Sequence, residues 1–291
     1  MREFTAEAED TGVRLDLVVA SKYPQFSRSA LGRLFENKMI SVKNMPAKPS
    51  YKVQTGDFIK VNEAYLNADP PPISLPVIFE DNDIVIINKP AGLLTHSKGA
   101  LNLEPTVASF ISSKINDNKL IGNRAGIIHR LDRDTSGVIV TAKNHKALTF
   151  FQKQFSNRTI YKVYIAVVEG RIEPSEAIID IPIARNPKKP QTFAVSPLGK
   201  PAISTYKLIK RFEKSGKTYS LIELKPETGR THQLRVHLAY IGHPIVGDRV
   251  YGKEKNGLLL YASSLEMTLL SGQRRIFKAP MPEHISEFIE V

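Results

Sequence analysis

The 291 residues contain no cysteine, which excludes disulfides and thiolate metal sites and is compatible with a reducing compartment. Tryptophan is also missing, so any stacking on a ligand ring must come from tyrosine, phenylalanine, histidine or arginine. No stretch approaches the roughly 20 apolar residues that a membrane span needs. The mixed-charge opening Met1-Arg2-Glu3-Phe4-Thr5-Ala6-Glu7 has no apolar core and does not read as a secretory signal. A cytoplasmic protein without membrane partners is the expectation. Acid is scarce relative to base: 29 Asp and Glu face 41 Lys and Arg, a formal charge of +12. Such an excess favours polyanionic partners, because each phosphate contact releases condensed counterions, although a merely basic protein would carry it too.

The chain shows no internal repeat and no extended low-complexity segment. Its clearest seam is Asn67-Ala68-Asp69-Pro70-Pro71-Pro72, where three prolines stiffen the backbone toward polyproline II. The seam predicts a small module over 1–66, a linker over 67–76 and a larger domain over 77–291. In the first module, Leu15, Val18 and Val19 have helical spacing. Ser27 reads as the N-cap of a second helix with Leu31, Leu34 and Phe35 on one face. Extended stretches follow at Met39-Ile40-Ser41-Val42 and, after a Thr55-Gly56-Asp57 turn, at Phe58-Ile59-Lys60-Val61. Arg28, Arg33, Lys38, Lys43 and Lys52 are left to project, as a solvated face or as a polyanion-binding one. In the larger domain, residues 77–87 read as strand, turn, strand. Strand-like segments outnumber helical ones without a regular strand–helix alternation, which predicts an α+β fold on a mixed, mainly antiparallel sheet.

The densest stretch of polar chemistry is His129-Arg130-Leu131-Asp132-Arg133-Asp134-Thr135-Ser136-Gly137. Apolar segments flank it, Ala125-Gly126-Ile127-Ile128 before and Val138-Ile139-Val140-Thr141-Ala142 after, so the nonamer is expected on a loop held between strands. A surface turn with solvated ion pairs would have the same composition. On spacing alone, Asp132 and Asp134 are equal candidates for a reacting carboxylate.

The nonamer resembles the His-Arg-Leu-Asp-x-x-Thr-Ser-Gly signature of the RluA/RluD-type pseudouridine synthases. Two further blocks follow in that family's order: Lys162-Val163-Tyr164-Ile165-Ala166, similar to its Lys-x-Tyr-x-Ala, and Gly229-Arg230-Thr231-His232-Gln233-Leu234-Arg235-Val236-His237. Asn88-Lys89-Pro90-Ala91-Gly92 and residues 242–252 are also family-like, the latter read as a scaffold turn behind the site. The resemblance spans roughly residues 75–291. Ahead of it, Arg14-Leu15-Asp16 and Phe26-Ser27-Arg28-Ser29 resemble, more loosely, the αL RNA-binding module of the ribosomal-protein-S-four type.

The resemblance implies a pseudouridine synthase fold and conversion of uridine to pseudouridine, a rearrangement that needs no cofactor and no metal. It selects Asp132 as nucleophile or base, leaves Asp134 in a variable slot with a turn-forming role, and assigns Arg235 as the ion partner of the aspartate. Tyr164 would stack on the displaced base or relay a proton; out of context it reads as a core tyrosine. His129, Arg130 and Arg230 are expected to contact RNA around the everted nucleotide, Arg130 as wedge or phosphate contact. Arg28, Arg33 and Lys38 are expected to do so in the front module. Lys188 and Lys189, in Arg185-Asn186-Pro187-Lys188-Lys189-Pro190, belong to a basic loop that is either a phosphate contact or a solvated hairpin tip. The implied partner is structured RNA, ribosomal RNA of the large subunit ahead of transfer RNA, with a monomer as the default state.

Local chemistry adds two expectations. Thr231 reads as the N-cap of a helix with Leu234, Leu238 and Ile241 inward, Gly242 at its end, and Arg235 on the side of the cap. His232, His237 and His243 lack the spacing of a zinc helix. Tyr261 stands where the family pattern Leu-His-Ala has histidine, which bears on packing or substrate contacts. The rival readings are a binding-only assembly factor, and a hydrolase or N-glycosidase using the Asp pair, which would cleave the strand or release the base.

Overall fold

The structure, a computed structural model, describes residues 1–66, 68, 70–97, 104–253 and 257–290. Asn67 and Asp69, at the head of the expected linker, lie outside the described residues. The chain forms two compact units: Met1–Ile73 with His96–Ser109 and Ile121–Ala125, and Ser74–Thr95 with Phe110–Leu120 and Gly126–Val291. Among the described residues no helix is long and apolar enough to cross a membrane.

In the first unit, helices α1 (Leu15–Lys22) and α2 (Arg28–Glu36) accompany four antiparallel strands in the order β1 (Arg2–Thr5), β4 (Phe58–Val61), β2 (Ile40–Val42), β3 (Met45–Pro46). Ser27 caps α2, its side chain accepting from the Ala30 N–H at 3.2 Å. That satisfies one orphan donor of the first turn and is typically worth about 1 kcal/mol. Leu15, Val18, Val19, Leu31, Leu34 and Phe35 pack with Ile40, Val42, Ile59 and Val61 in one core. Strand β1 has no legible signal in the sequence: all four residues face at least partly outward, and only pairing with β4 makes them a strand.

The second unit is built on one nine-stranded sheet. Its order is β5 (Val77–Glu80), β6 (Ile84–Lys89), β7 (Ser136–Ala142), β14 (Leu260–Thr268), β8 (Tyr161–Glu169), β13 (Lys217–Pro226), β12 (Ile203–Lys214), β9 (Glu176–Asp180), with β15 (Arg274–Lys278) paired to β14. A separate hairpin joins β10 (Ile183–Arg185) to β11 (Phe193–Val195). Every pairing in the large sheet is antiparallel except β7 with β14. The fold is thus α+β on a mixed, mainly antiparallel sheet.

Helices cover both faces. The short α3 (Val107–Ser112) precedes β7; α4 (His145–Ser156), capped by Asn144, packs Ala147 and Phe151 on Ile84, Ile86, Val138 and Val140. Alternation along β8 directs Ala166 and Val168 toward α5 (Gln233–Tyr240) and Ile165 and Val167 toward α6 (Glu283–Ile289). Lys162 and Tyr164 share the parity of Ala166 and therefore its side of the sheet.

Strand β7 is buried at all seven positions, as a strand covered on both faces must be. The segment before the nonamer differs from expectation: Ala125–Ile128 forms no strand, only an isolated bridge of Ile127 to Thr141. Thr141 pairs with Val85 on β6 by one edge, and on the other edge, beyond the short β14 pairing at Ser136 and Gly137, it meets Ile127 alone.

Gly137, the last residue of the nonamer, has a structural reason. Its φ is +109°, and a Cβ there would lie 2.2 Å from the carbonyl oxygen of Ala262, its parallel partner on β14. Gly137→Ala should destabilise the protein by at least about 3 kcal/mol, read as a fall in the urea midpoint. An unchanged midpoint would mean that β14 gives way at no cost.

Candidate active site

The loop that carries Asp132 is pinned residue by residue. Thr95 donates its hydroxyl to the Leu131 carbonyl at 2.8 Å and accepts the Leu131 N–H at 3.2 Å. On the other side of Asp132, the Arg133 carbonyl accepts from the Gly92 N–H at 2.9 Å and from Lys89 Nζ at 3.0 Å. The Thr135 N–H closes a turn onto the Asp132 carbonyl at 3.2 Å. Leu131, 4% exposed, anchors the loop in the core.

Lys89 is fully buried at the end of β6, its ammonium donating also to the carbonyls of Pro90 (3.0 Å) and Leu93 (2.8 Å). Burial pushes its pKa down to about 7, against the upward pull of Asp132 and Asp134. Replacing it by methionine would take one donor from each of three carbonyls, of which, among the described residues, that of Arg133 alone keeps another, the Gly92 N–H. Lys89→Met should cost about 2–4 kcal/mol in denaturant unfolding and loosen the Asp132 loop; a loss under about 0.5 kcal/mol would show that water replaces the ammonium.

Asp132 opens into a cavity of about 490 Å³ lined, among others, by His129, Arg130, Lys162, Tyr164, Arg230, His232 and Arg235. That volume falls within the roughly 300–1,000 Å³ of sites that enclose a small ligand. The fold therefore brings the three sequence blocks to one wall-to-wall site. Arg235 Nη1 lies 3.5 Å from Asp132 Oδ2. Tyr164 is held as a neutral phenol, its pKa raised by burial and then by the negative charge of Asp132. In that state it can donate a hydrogen bond or stack, and it is no base.

The strongest partner of Arg235 is one the sequence did not single out. Asp248 takes a two-pronged contact, Nε to Oδ2 and Nη2 to Oδ1, both at 2.7 Å. Burial alone would raise the Asp248 carboxyl, but Arg235 and the N–H groups of Val250 and Tyr251 hold it below its ordinary value. Two of the three guanidinium nitrogens are thus committed, and the third is aimed at Asp132. The legible signal was an aspartate inside Ile245-Val246-Gly247-Asp248, where an apolar run followed by a glycine predicts burial and hence a cationic partner.

The start of α5 corrects the expectation for Thr231. The helix begins at Gln233, and the residue before it, His232, has φ 57° in the left-handed region, whereas a threonine cap needs extended backbone. No side chain caps the helix; Gln233, its first residue, ties down the approaching chain, its Oε1 accepting from the Arg230 N–H at 3.0 Å and from the Thr228 hydroxyl at 2.7 Å. At the other end Gly242, with φ +86°, closes the helix as expected.

The remaining candidates fall in several places. His129 Nε2 accepts the Val140 N–H at 3.1 Å, its ring stacks on Phe155 at 4.6 Å, and burial pushes its pKa down to about 3, so it presents no positive charge. Arg130 is exposed at the cavity rim; Arg230 donates Nε to the Pro201 carbonyl at 3.0 Å. Lys162, its pKa lowered to about 8 by burial and then by Arg158, reaches the Thr228 carbonyl at 3.4 Å. Arg33 and Lys38 are exposed in the first unit, while Arg28 is tied to Asp16 at 2.8 Å. Lys188 and Lys189 stand exposed at the tip of the β10–β11 hairpin, shaped by Asn186 Oδ1 accepting both their N–H groups.

The three histidines considered as a metal set have separate partners. His232 meets Tyr251, His237 bonds Ser204 and the Ile181 carbonyl, and His243 bonds the Glu169 carbonyl. Tyr261 is buried among Ile165, Val167 and Leu259, on the face of the sheet opposite Tyr164, where it packs and lines no part of the cavity.

Residues 83–240 match the RNA pseudouridylate synthase family. The uncharacterized RNA pseudouridine synthase YlyB of Bacillus subtilis is 35% identical, over 99% of this chain and 97% of its own. The ribosomal large subunit pseudouridine synthase D of Escherichia coli K12 is likewise 35% identical, over 99% of this chain and 93% of its own. Among solved structures, human RNA pseudouridylate synthase domain containing 1 superposes with a TM-score of 0.59 at 25% identity, covering 73% of this chain and 86% of that one. With a family match over more than half its length and relatives aligned end to end, the chain belongs to the RluA/RluD-type RNA pseudouridine synthases, isomerases acting on RNA.

Proposed function

We propose that the chain isomerises uridine in structured RNA of the large ribosomal subunit, with Asp132 as the reacting carboxylate and Arg235 and Tyr164 as its partners. The observation that carries this reading is the convergence of Asp132, Tyr164 and Arg235, from three separate blocks, on one cavity. The reaction breaks the bond from ribose C1′ to uracil N1, turns the base, forms the bond to C5, and moves the C5 proton away as N1 gains one. Asp132 serves it either by attacking C1′ or by taking a proton from the neighbouring ribose carbon. Arg235 faces the carboxylate with Nη1 at 3.5 Å, and the neutral Tyr164 phenol packs against the turned base or passes a proton to it.

The cavity is the size of one nucleotide, so the target uridine must leave its stack, at a cost of a few kcal/mol. Arg130 and the exposed Arg158, with Arg230 and Lys162, supply the positive lining that an everted nucleotide and its phosphates require. The first unit, as an S-four-type module, grips flanking RNA through Arg28, Arg33 and Lys38, and the hairpin tip adds Lys188 and Lys189. The large-subunit assignment rests on relatives named for that substrate that align over nearly the whole chain. The enzyme is read as a cytoplasmic monomer.

The test is to incubate the protein with large-subunit ribosomal RNA and, separately, with transfer RNA, and to map new pseudouridines, using Asp132→Asn as the blank. New sites confined to ribosomal RNA are expected. Sites only in transfer RNA would overturn the substrate, and released uracil or a cleaved strand would overturn the reaction.

A further inference from the structure

His232 enters the family pattern as one letter of a block, yet its surroundings specify its chemistry. Its left-handed backbone, rare for a residue with a Cβ, turns the ring toward the cavity. The ring meets Phe193 and Tyr251 edge-on, with centroids at 5.7 and 5.6 Å. Nδ1 lies 2.9 Å from Tyr251 Oη, and that oxygen accepts the N–H of Phe193, also at 2.9 Å. A phenol has one hydrogen to give. Among the described residues Tyr251 Oη has no other hydrogen-bond partner, an arrangement that favours donation of its hydrogen to Nδ1. Nδ1 is then the lone-pair side, and the neutral ring carries its proton on Nε2.

Nε2 faces Asp132 Oδ2 at 3.8 Å, and Arg235 Nη1 is 3.5 Å from that same oxygen. Burial, reinforced by Arg235 and Arg130, holds the imidazole below its ordinary value against the pull of Asp132 and Asp248. Among the described residues no hydrogen bond reaches either oxygen of the Asp132 carboxylate. Two nitrogens thus stand near it without yet bonding it.

Resting on the reading of Asp132 as the reacting group, we propose that His232 is a positioning residue. As the Nε2–H tautomer it acts with Arg235 to orient the Asp132 carboxylate toward the nucleotide. A neutral second donor suits this task, since it orients the carboxylate without cancelling its charge. The 3.8 Å separation is beyond hydrogen-bond range; it closes as the nucleotide excludes water and lowers the local dielectric. Tyr251, held by Phe193 of the β10–β11 hairpin, sets the tautomer.

The experiment compares wild type, His232→Gln, His232→Leu, Tyr251→Phe and Asp132→Asn in single-turnover reactions on one RNA, with RNA affinity and thermal melts measured alongside. Imidazole nitrogen NMR of the wild type should show His232 protonated at Nε2, and Tyr251→Phe should turn this into a mixture of tautomers. His232→Leu should slow the reaction roughly 10- to 100-fold, the worth of one hydrogen bond to a charged group. Glutamine, which offers a donor at similar reach, should recover to within about threefold of wild type, and RNA affinity should change by no more than that. An Nδ1–H tautomer in the wild type, a His232→Leu rate equal to wild type, or equal losses in the Gln and Leu variants would each overturn the inference. If His232→Leu does not fold, the NMR result and the Tyr251→Phe rate decide. Retained activity in Asp132→Asn would bring down the reading of Asp132 and this inference together; an inactive Asp132→Asn beside an unimpaired His232→Leu removes the inference alone.

Discussion

Asp132→Asn should bind RNA as the wild type does and isomerise uridine at least about 10⁴-fold more slowly, the scale of loss when a reacting side chain is removed from an otherwise intact site. Asparagine has nearly the shape of aspartate but can neither attack C1′ nor accept a proton there. The substitution should leave the fold alone. The Thr135 turn bond uses the Asp132 backbone, Thr95 and Lys89 hold the neighbouring carbonyls, and Arg235 keeps both short contacts to Asp248. Mass-silent isomerisation can be followed by chemical labelling of pseudouridine. A variant that retained more than about one per cent of wild-type rate would show that Asp132 is not the reacting group.

Asp248→Ala is expected to have the largest effect on stability. The side chains of Arg235 and Asp248 are 6% and 0% exposed, so removing the carboxylate strands a guanidinium in the interior. Breaking a buried pair from one side costs about 3–5 kcal/mol. At about 2–4 °C per kcal/mol for a chain of this size, the melting temperature should fall by about 10 °C. The N–H groups of Val250 and Tyr251 lose their acceptor as well, which frees the turn that carries Tyr251. Released from its fork, Arg235 can swing toward Asp132 or away from it, so the single-turnover rate of the folded variant should also drop. Lysine at 235 would not substitute, because it is a point charge without the fork that two contacts require. A melting temperature within about 2 °C of wild type would mean that water or Asp132 neutralises Arg235 unaided.

Much of the fold was legible where the signal is local. The Ser27 cap, the apolar spacing of α1 and α2, the β5–β6 hairpin and the closing glycine of α5 depend on residues within a turn or two of one another. Strand β1 and the start of α5 were not. The first takes its form from pairing with a distant strand, and the second from the left-handed turn at His232, with no side-chain cap. The reduction of Ala125–Ile128 from an expected strand to a single bridge is likewise decided by which residues of a distant segment it meets, here Thr141 alone.

The sequence by itself determined which chemical groups the site can deploy. A carboxylate, a phenol and a guanidinium sit in blocks whose order and spacing are covalent facts, and a basic chain around them selects a polyanion. Only the tertiary structure decided how those groups are paired. It gave the fork of Arg235 to Asp248 and a single nitrogen to Asp132, buried Lys89 beneath the loop, and turned His129 into a neutral acceptor. The physical reason is that a charge finds its partner across the sheet, by the direction in which each backbone presents it, and no periodicity within one segment records what stands opposite.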